Sequence, residues 1–209
     1  MGTVRCDPGP VAHVGGLDIS VQSVVDDEIA EDFWALYRTT FGELATRAVA
    51  RQVLHRHEFL EEMQDPRISK YVARDAETGV VVGLSTLTRD LTTVPWVSPE
   101  YFAHHYPEHT ARDAVFYLGF TLVHPQRRRS RTFHLMTRHV IEVVVDAHGV
   151  CGWDVCAYND RVLGFPANIE AMLNRHADAT ISPVDTQTYF VASTNGPPPG
   201  GGAPGVVVG

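Results

Sequence analysis

Lysine is almost missing from this chain of 209 residues: Lys70 stands alone, and arginine supplies the rest of the basic side chains. Positive charge as a whole is in deficit, with 17 Lys and Arg against 25 Asp and Glu and a formal net charge of −8. That balance excludes a global attraction to nucleic acid or to an anionic membrane. No apolar run approaches the roughly 20 residues that span a bilayer. No charged-then-apolar segment opens the chain, so a reducing cytoplasm is the expected compartment. Cysteine is scarce and unpaired in number: Cys6, Cys151 and Cys156 have no metal-ligand spacing. No metal is expected, and buried reduced thiols are the reading of Cys151 and Cys156, which fall on one predicted strand and point to its opposite faces. Internal repeats are absent.

What is present is an ordinary globular composition, 44% hydrophobic and 20% charged. Residues 1–16 show no periodic apolar pattern and read as a flexible leader. Residues 195–209 are Gly- and Pro-rich and read as a disordered tail. The folded domain is expected over 17–194. Leu17–Val21 alternates as a half-buried strand. Asp26 and Asp27 open a helix whose face carries Ile29, Phe33, Leu36 and Tyr37. A second helix is expected from about Thr46 to Met63, ended by Pro66. Tyr71–Ala73 and Val80–Leu87 pair through a turn at Glu77-Thr78-Gly79. Residues 91–110 read as an irregular insertion with one short helix, and Trp96, Tyr101, Phe102 and Tyr106 there as a wall over a pocket or as anchors of the insertion.

The run Val115–Val123 is almost wholly apolar, which suits a central strand covered on both faces. Pro125 stops it, and a helix is expected from about Arg131 to Ala147. Strands over Gly152–Ala157 and Thr186–Ala192 flank a helix near Pro166–Arg175. The order gives an α/β fold with a mixed, mostly antiparallel central sheet flanked by helices.

Between central strand and helix lie Arg127, Arg128, Arg129 and Arg131, four guanidinium groups within five residues, with Ser130 and Thr132 among and after them. A helix N-terminus has unpaired N–H groups and a dipole that favours anions. Guanidinium forks add charge-assisted donors suited to phosphate. These residues read as a pyrophosphate or other polyanion site, with a solvated basic surface as the alternative.

This strand, basic turn and helix resemble the GNAT superfamily of acyl-CoA-dependent N-acyltransferases, whose likeness runs over about 180 residues, from Leu17 to Ala192. The family's loop carries glycines that no register of this sequence supplies, so guanidiniums stand where a backbone cradle is usual. The resemblance implies that acetyl-CoA or another acyl-CoA is the donor substrate and that its pyrophosphate meets Arg127–Thr132. It implies that main chain near Thr121, Leu122 and Val123 holds the pantetheine arm, in a splay against the next strand. Gly119 reads as a local irregularity or as a packing glycine. Asn159 matches a pantetheine-side asparagine and is equally an ordinary turn residue. The tyrosine that usually protonates the thiolate is replaced by Ala167, which leaves Tyr117 and Tyr158 as candidate acids and His124 as candidate base. Glu58, with His55 and His57, is a further group that could face the acceptor. The acceptor implied is a small-molecule amine. Two other readings remain: an enzyme resembling N-acyl amino acid synthases, which takes its acyl chain from acyl carrier protein, and a GNAT-like binding module without catalysis.

Overall fold

The structure is a computed structural model, and it describes residues 12–49, 53–127 and 131–193. Strand β1 (Ala12–Val14) lies inside the stretch expected to be a leader, and pairs antiparallel with β2 (Leu17–Gln22). The two residues between them, Gly15 and Gly16, have φ of 58° and 78°. Such a tight turn needs left-handed backbone at both positions, which glycine adopts at no steric cost. The rest of the expected leader and the whole expected tail, 195–209, fall outside the described residues.

Helix α1 (Asp27–Phe41) buries Phe33, Leu36 and Tyr37 as its spacing predicts, with Ala30 buried beside them and Ile29 half-buried. The single helix expected over 46–63 is instead two, α2 (Leu44–Arg47) and α3 (Arg56–Gln64). Ala48 turns to extended backbone at φ −124° and ψ 136°. The α3 N-terminus is then rebuilt at His55, whose N–H donates to Glu58 Oε2 at 2.7 Å. A local cap outweighs the continuity of the pattern. Before Pro66 the helix stops, because the residue preceding proline is pushed out of helical backbone.

Strands β3 (Ile68–Asp75), β4 (Val81–Thr88), β5 (Val115–Val123) and β6 (Val150–Gly152) complete a six-stranded sheet in sequence order, β1-β2-β3-β4-β5-β6. Every neighbouring pair is antiparallel except β5 and β6, which are parallel and joined through α6 (Thr132–Asp146). The mixed, mostly antiparallel sheet is thus as the sequence order implies. Val72, Leu84 and Leu122 stand opposite one another across three strands and pack on Phe33, Tyr37, Phe59 and Met63 of α1 and α3. On the other face, Leu135, Met136 and Val140 of α6 cover Ala73, Val82, Val123 and Phe116. Met136 sits so close that a Cβ on Gly83 would lie 2.2 Å from its sulfur. Both faces are dry, which is why β5 reads as one apolar run.

The 91–110 insertion is more regular than expected. A 3-10 turn (Leu91–Thr93) is capped by Asp90, and α4 (Pro99–His105) is capped by Ser98, which accepts from Tyr101 N at 3.1 Å. A second helix, α5 (Pro107–Ala111), follows. Leu91, Val94 and Phe102 bury against Val115 and Tyr117. Toward the C-terminus the sequence over-reads strand. Of the expected 152–157 strand only Gly152 is paired, as the last residue of β6 (Val150–Gly152); Ala157 already belongs to α7 (Ala157–Arg161), and Cys151 and Cys156 do not share a strand. After α8 (Phe165–Leu173) no described residue is in a strand, so the strand expected over 186–192 is absent. Phe190 and Val191 are 89% and 93% exposed. Alternation marks a segment fit for pairing, but a strand also needs an edge to pair with. Among the described residues no helix is long and apolar enough to cross a membrane.

Candidate functional site

Strands β5 and β6 pair at Val115 with Val150, Phe116 with Cys151 and Tyr117 with Gly152, and the pairing ends there. The cause lies in β5 itself. Leu118 pairs with Leu87 and Thr121 with Ser85, so Gly119 and Phe120 together face the single residue Thr86. This β-bulge bends the strand and adds local twist, which turns Leu118–Val123 away from the chain after β6. Side chains of β4 repair the interrupted ladder. Ser85 Oγ donates to Phe120 O at 3.1 Å and shares a hydrogen bond with Thr121 Oγ1 at 2.7 Å. Phe120 N donates to Thr86 Oγ1 at 3.4 Å. Glycine is required at 119 because a Cβ there would lie 2.6 Å from Thr86 Oγ1. Gly119 is therefore an irregularity and a close-packing glycine at once.

Where the strands part, three side chains lock together. Tyr117 donates its hydroxyl proton to Asp154 Oδ1 at 2.6 Å, and Trp96 Nε1 donates to the same oxygen at 3.1 Å. Trp96 comes from the insertion and Asp154 from the segment after β6, so the knot fixes both to β5. Burial, and then the Asp154 carboxylate beside it, push the Tyr117 phenol far above its ordinary pKa.

Glu62 of α3 reaches the same place. Its Oε1 lies 3.7 Å from the position a Gly119 Cβ would take. With Thr86, Tyr117, Trp96 and Gly119 it lines a pocket of about 20 Å³, room for a single water-sized group. Burial pushes the Glu62 carboxyl up to about 7; the neighbouring Thr86 hydroxyl and the Lys70 ammonium pull in the opposite direction. A carboxyl poised near neutrality, facing a small pocket, is equipped to accept a proton. The sequence reading missed it and pointed one turn earlier on the same helix. There, Glu58 caps its own helix, and His55 and His57 are exposed and stacked on each other at 5.8 Å. The signal was available: Phe59, Glu62 and Met63 share the inward face of α3, and a charged residue in that stripe is out of place.

The other candidates are scattered along the cleft. His124 follows β5, five residues beyond Gly119 and so about 16 Å along the strand. Its Nδ1 accepts from Gln126 N at 3.3 Å, which occupies the imidazole in the turn. Tyr158, on α7, lies under the Arg47 guanidinium at 4.7 Å. Asn159 is half-buried in the first turn of the same helix. Leu122 and Val123 are buried on β5 and bonded on one side to β4.

The basic turn divides. Arg127 forms an ion pair with Asp75, whose carboxylate also holds the β3–β4 turn through Thr78. Arg128, Arg129 and Ser130 lie outside the described residues. Thr132 is buried at the start of α6. Arg131 precedes it as the helix cap and opens on a cleft of about 270 Å³ between α6 and α8, shared with His134, Arg138, Arg175 and His176. Arg138 is paired with Glu142 at 2.7 Å. Arg131 and Arg175 have no carboxylate partner among the described residues, so the cleft holds uncompensated positive charge in an acidic protein. Burial pushes the Cys151 thiol up to about 12, which leaves it an unreactive thiol. No three His, Cys, Asp or Glu side chains among the described residues gather to hold a metal ion.

No family model and no curated protein matches the sequence. Among solved structures, an aminoglycoside acetyltransferase from an uncultured soil metagenomic sample, in complex with sisomicin, is similar at 12% identity, over 85% of this chain and 97% of that one, with a TM-score of 0.48. The aminoglycoside 6'-N-acetyltransferase AAC(6')-Ih from Acinetobacter baumannii is similar at 14% identity, over 86% and 99%, with a TM-score of 0.49. The ribosomal-protein-alanine N-acetyltransferase from Brucella melitensis biovar Abortus 2308 is similar at 13% identity, over 85% and 99%, with a TM-score of 0.45. Likeness at this level, below a TM-score of 0.5, fixes neither a family nor a substrate for this chain.

Proposed function

We propose that this chain is a GNAT-like N-acyltransferase that moves an acyl group from acyl-coenzyme A to a small-molecule amine. The observation that carries the reading is the poised Glu62 carboxyl at the bulge where β5 leaves β6. On this reading the unpaired edge of Leu118–Val123 offers main-chain donors and acceptors to the extended pantetheine arm, as an edge strand does to any extended partner. The donor's phosphates meet the N-terminus of α6 and the cleft that Arg131 and Arg175 make positive.

The amine nitrogen forms its bond to the thioester carbonyl carbon as the carbon–sulfur bond breaks. The proton lost from nitrogen passes to Glu62, the departing thiolate takes up a proton from solvent to become the free thiol, and Glu62 returns its proton to solvent. Glu62 does this work as a carboxylate, so the rate rises with pH through about 7 and then levels. Tyr117 is a strut of the cleft in this scheme, its proton held on Asp154. His124, bonded within its own turn, belongs to the phosphate end of the cleft.

The test is thiol release from acetyl- and longer acyl-coenzyme A across a panel of amines, with Glu62→Gln as the control. Removal of a general base costs about 10²–10⁴-fold in turnover. Binding of coenzyme A without thiol release from any amine would favour a binding module. A response to acyl carrier protein alone would move the donor assignment to that carrier.

A further inference from the structure

The sheet buries one charged group that the proposed mechanism leaves unused. Lys70 of β3 is 0% exposed, and its ammonium donates to Ser23 O at 2.8 Å and to Asp65 O at 2.5 Å. Two neutral carbonyls satisfy hydrogen bonds but leave a full charge in a medium that solvates it poorly. Lys70 stands directly opposite Thr86 in the β3–β4 register, so both side chains rise from the same face of the sheet. Thr86 is the residue that Gly119 and Phe120 bulge around, and its hydroxyl faces Glu62. Lys70, Thr86 and Glu62 thus form a row from the buried centre of the sheet to the mouth of the pocket.

We propose that Lys70 serves the acceptor site through Glu62: its ammonium, locked by two main-chain carbonyls and standing opposite Thr86 on the same face of the sheet, is the counter-charge to the carboxyl at the bulge. The inference rests on the reading of Glu62 as the base. Around Glu62 the groups of each packed element are few. Lys70 on β3 and Thr86 on β4 favour its anion, Asp65 at the end of α3 opposes it, and Tyr117 across the pocket is neutral and committed to Asp154. The counter-charge that most supports the buried ammonium is in turn Glu62, ahead of Asp65.

The sole lysine makes a direct test possible. Lysine labelled with 13C at Cε gives one signal, and glutamate labelled at its carboxyl gives a Glu62 signal identified by its loss in Glu62→Gln. The expected result is a Glu62 midpoint near 7 and a step in the Lys70 signal at the same pH, absent in Glu62→Gln. In Lys70→Met the Glu62 midpoint moves up, and the rate at pH 6.5 falls several-fold but recovers in alkali. A Glu62 midpoint near 7 with no step at Lys70 overturns the inference and leaves Glu62 as the base. A Glu62 midpoint in the ordinary carboxylate range overturns both. The coupled step is read on the wild type and Glu62→Gln, so a Lys70 variant that fails to fold does not decide the matter.

Discussion

Glu62→Gln should stabilise the protein in alkali while it disables the site. The carboxyl has a folded pKa of about 7 against an unfolded value near 4.5. The folded state therefore holds a proton that the unfolded state has lost between those values. Its contribution to stability is present in full below the unfolded pKa and is lost as pH rises through 7. A displacement of about 2.5 units at 1.36 kcal/mol each sets a ceiling of roughly 3 kcal/mol, and about 2.5 kcal/mol of it disappears between pH 5 and pH 8. Lys70 titrates in a different window. Its pKa is lowered to about 8 from 10.5, so its linkage acts above pH 8 and leaves the acid range untouched. Glutamine keeps the size of the side chain and carries no charge. Urea unfolding of both proteins at pH 5, 6, 7 and 8 gives the comparison, the two differing at Glu62 and, through the lost counter-charge, at Lys70. The difference, variant minus wild type, should grow by about 2–3 kcal/mol in favour of glutamine from pH 5 to pH 8. A difference that stays constant across that range would refute the claim that Glu62 is held against its charge.

Three further outcomes follow from the site. Coenzyme A at a hundredfold excess over its dissociation constant should stabilise the wild type by about 2.7 kcal/mol, read as a thermal shift, and Arg131→Glu should remove that shift. Gly119→Ala places a methyl 2.6 Å from Thr86 Oγ1 and should cost about 1–3 kcal/mol in urea unfolding, with part of the loss regained in the double variant with Thr86→Ala. Tyr117→Phe leaves Asp154 with only the Trp96 donor of the pair and should cost about 1–3 kcal/mol of stability. Its thiol-release rate should fall far less than that of Glu62→Gln, a comparison that separates strut from base.

The sequence carried the layout well where periodicity and burial agree. β5 is almost wholly apolar because helices press on both its faces, and α6 begins within one residue of where Arg131 places it. It failed where pairing decides. Thr186–Ala192 reads as a closing strand, yet no described strand pairs with it, whereas β2 has neighbours on both sides to hydrogen-bond with. The site was half legible. Gly119 drew notice as a break in a strand, but that it opposes Thr86 depends on β4 register, which no local pattern encodes. Glu62 was overlooked because its neighbours Glu58 and Glu61 make α3 look like a solvated charged face. Only the packing of Phe59 and Met63 shows that the third carboxyl points inward. Arg127 looked like part of one cluster and proves to be half of an ion pair across 52 positions of sequence, a partnership that only folding creates.

The burial of Lys70 has a practical side. A fold whose only ε-amine is shut inside the sheet offers acylating chemistry no side-chain amine on its own surface. Acyl groups that accumulate on the native protein during turnover would then have to sit on the α-amine, on a hydroxyl or on a thiol. Amine-reactive dyes and lysine cross-linkers, by the same exclusion, should mark the unfolded chain at position 70 and spare the folded one there, which makes a one-site reporter of unfolding out of a compositional accident.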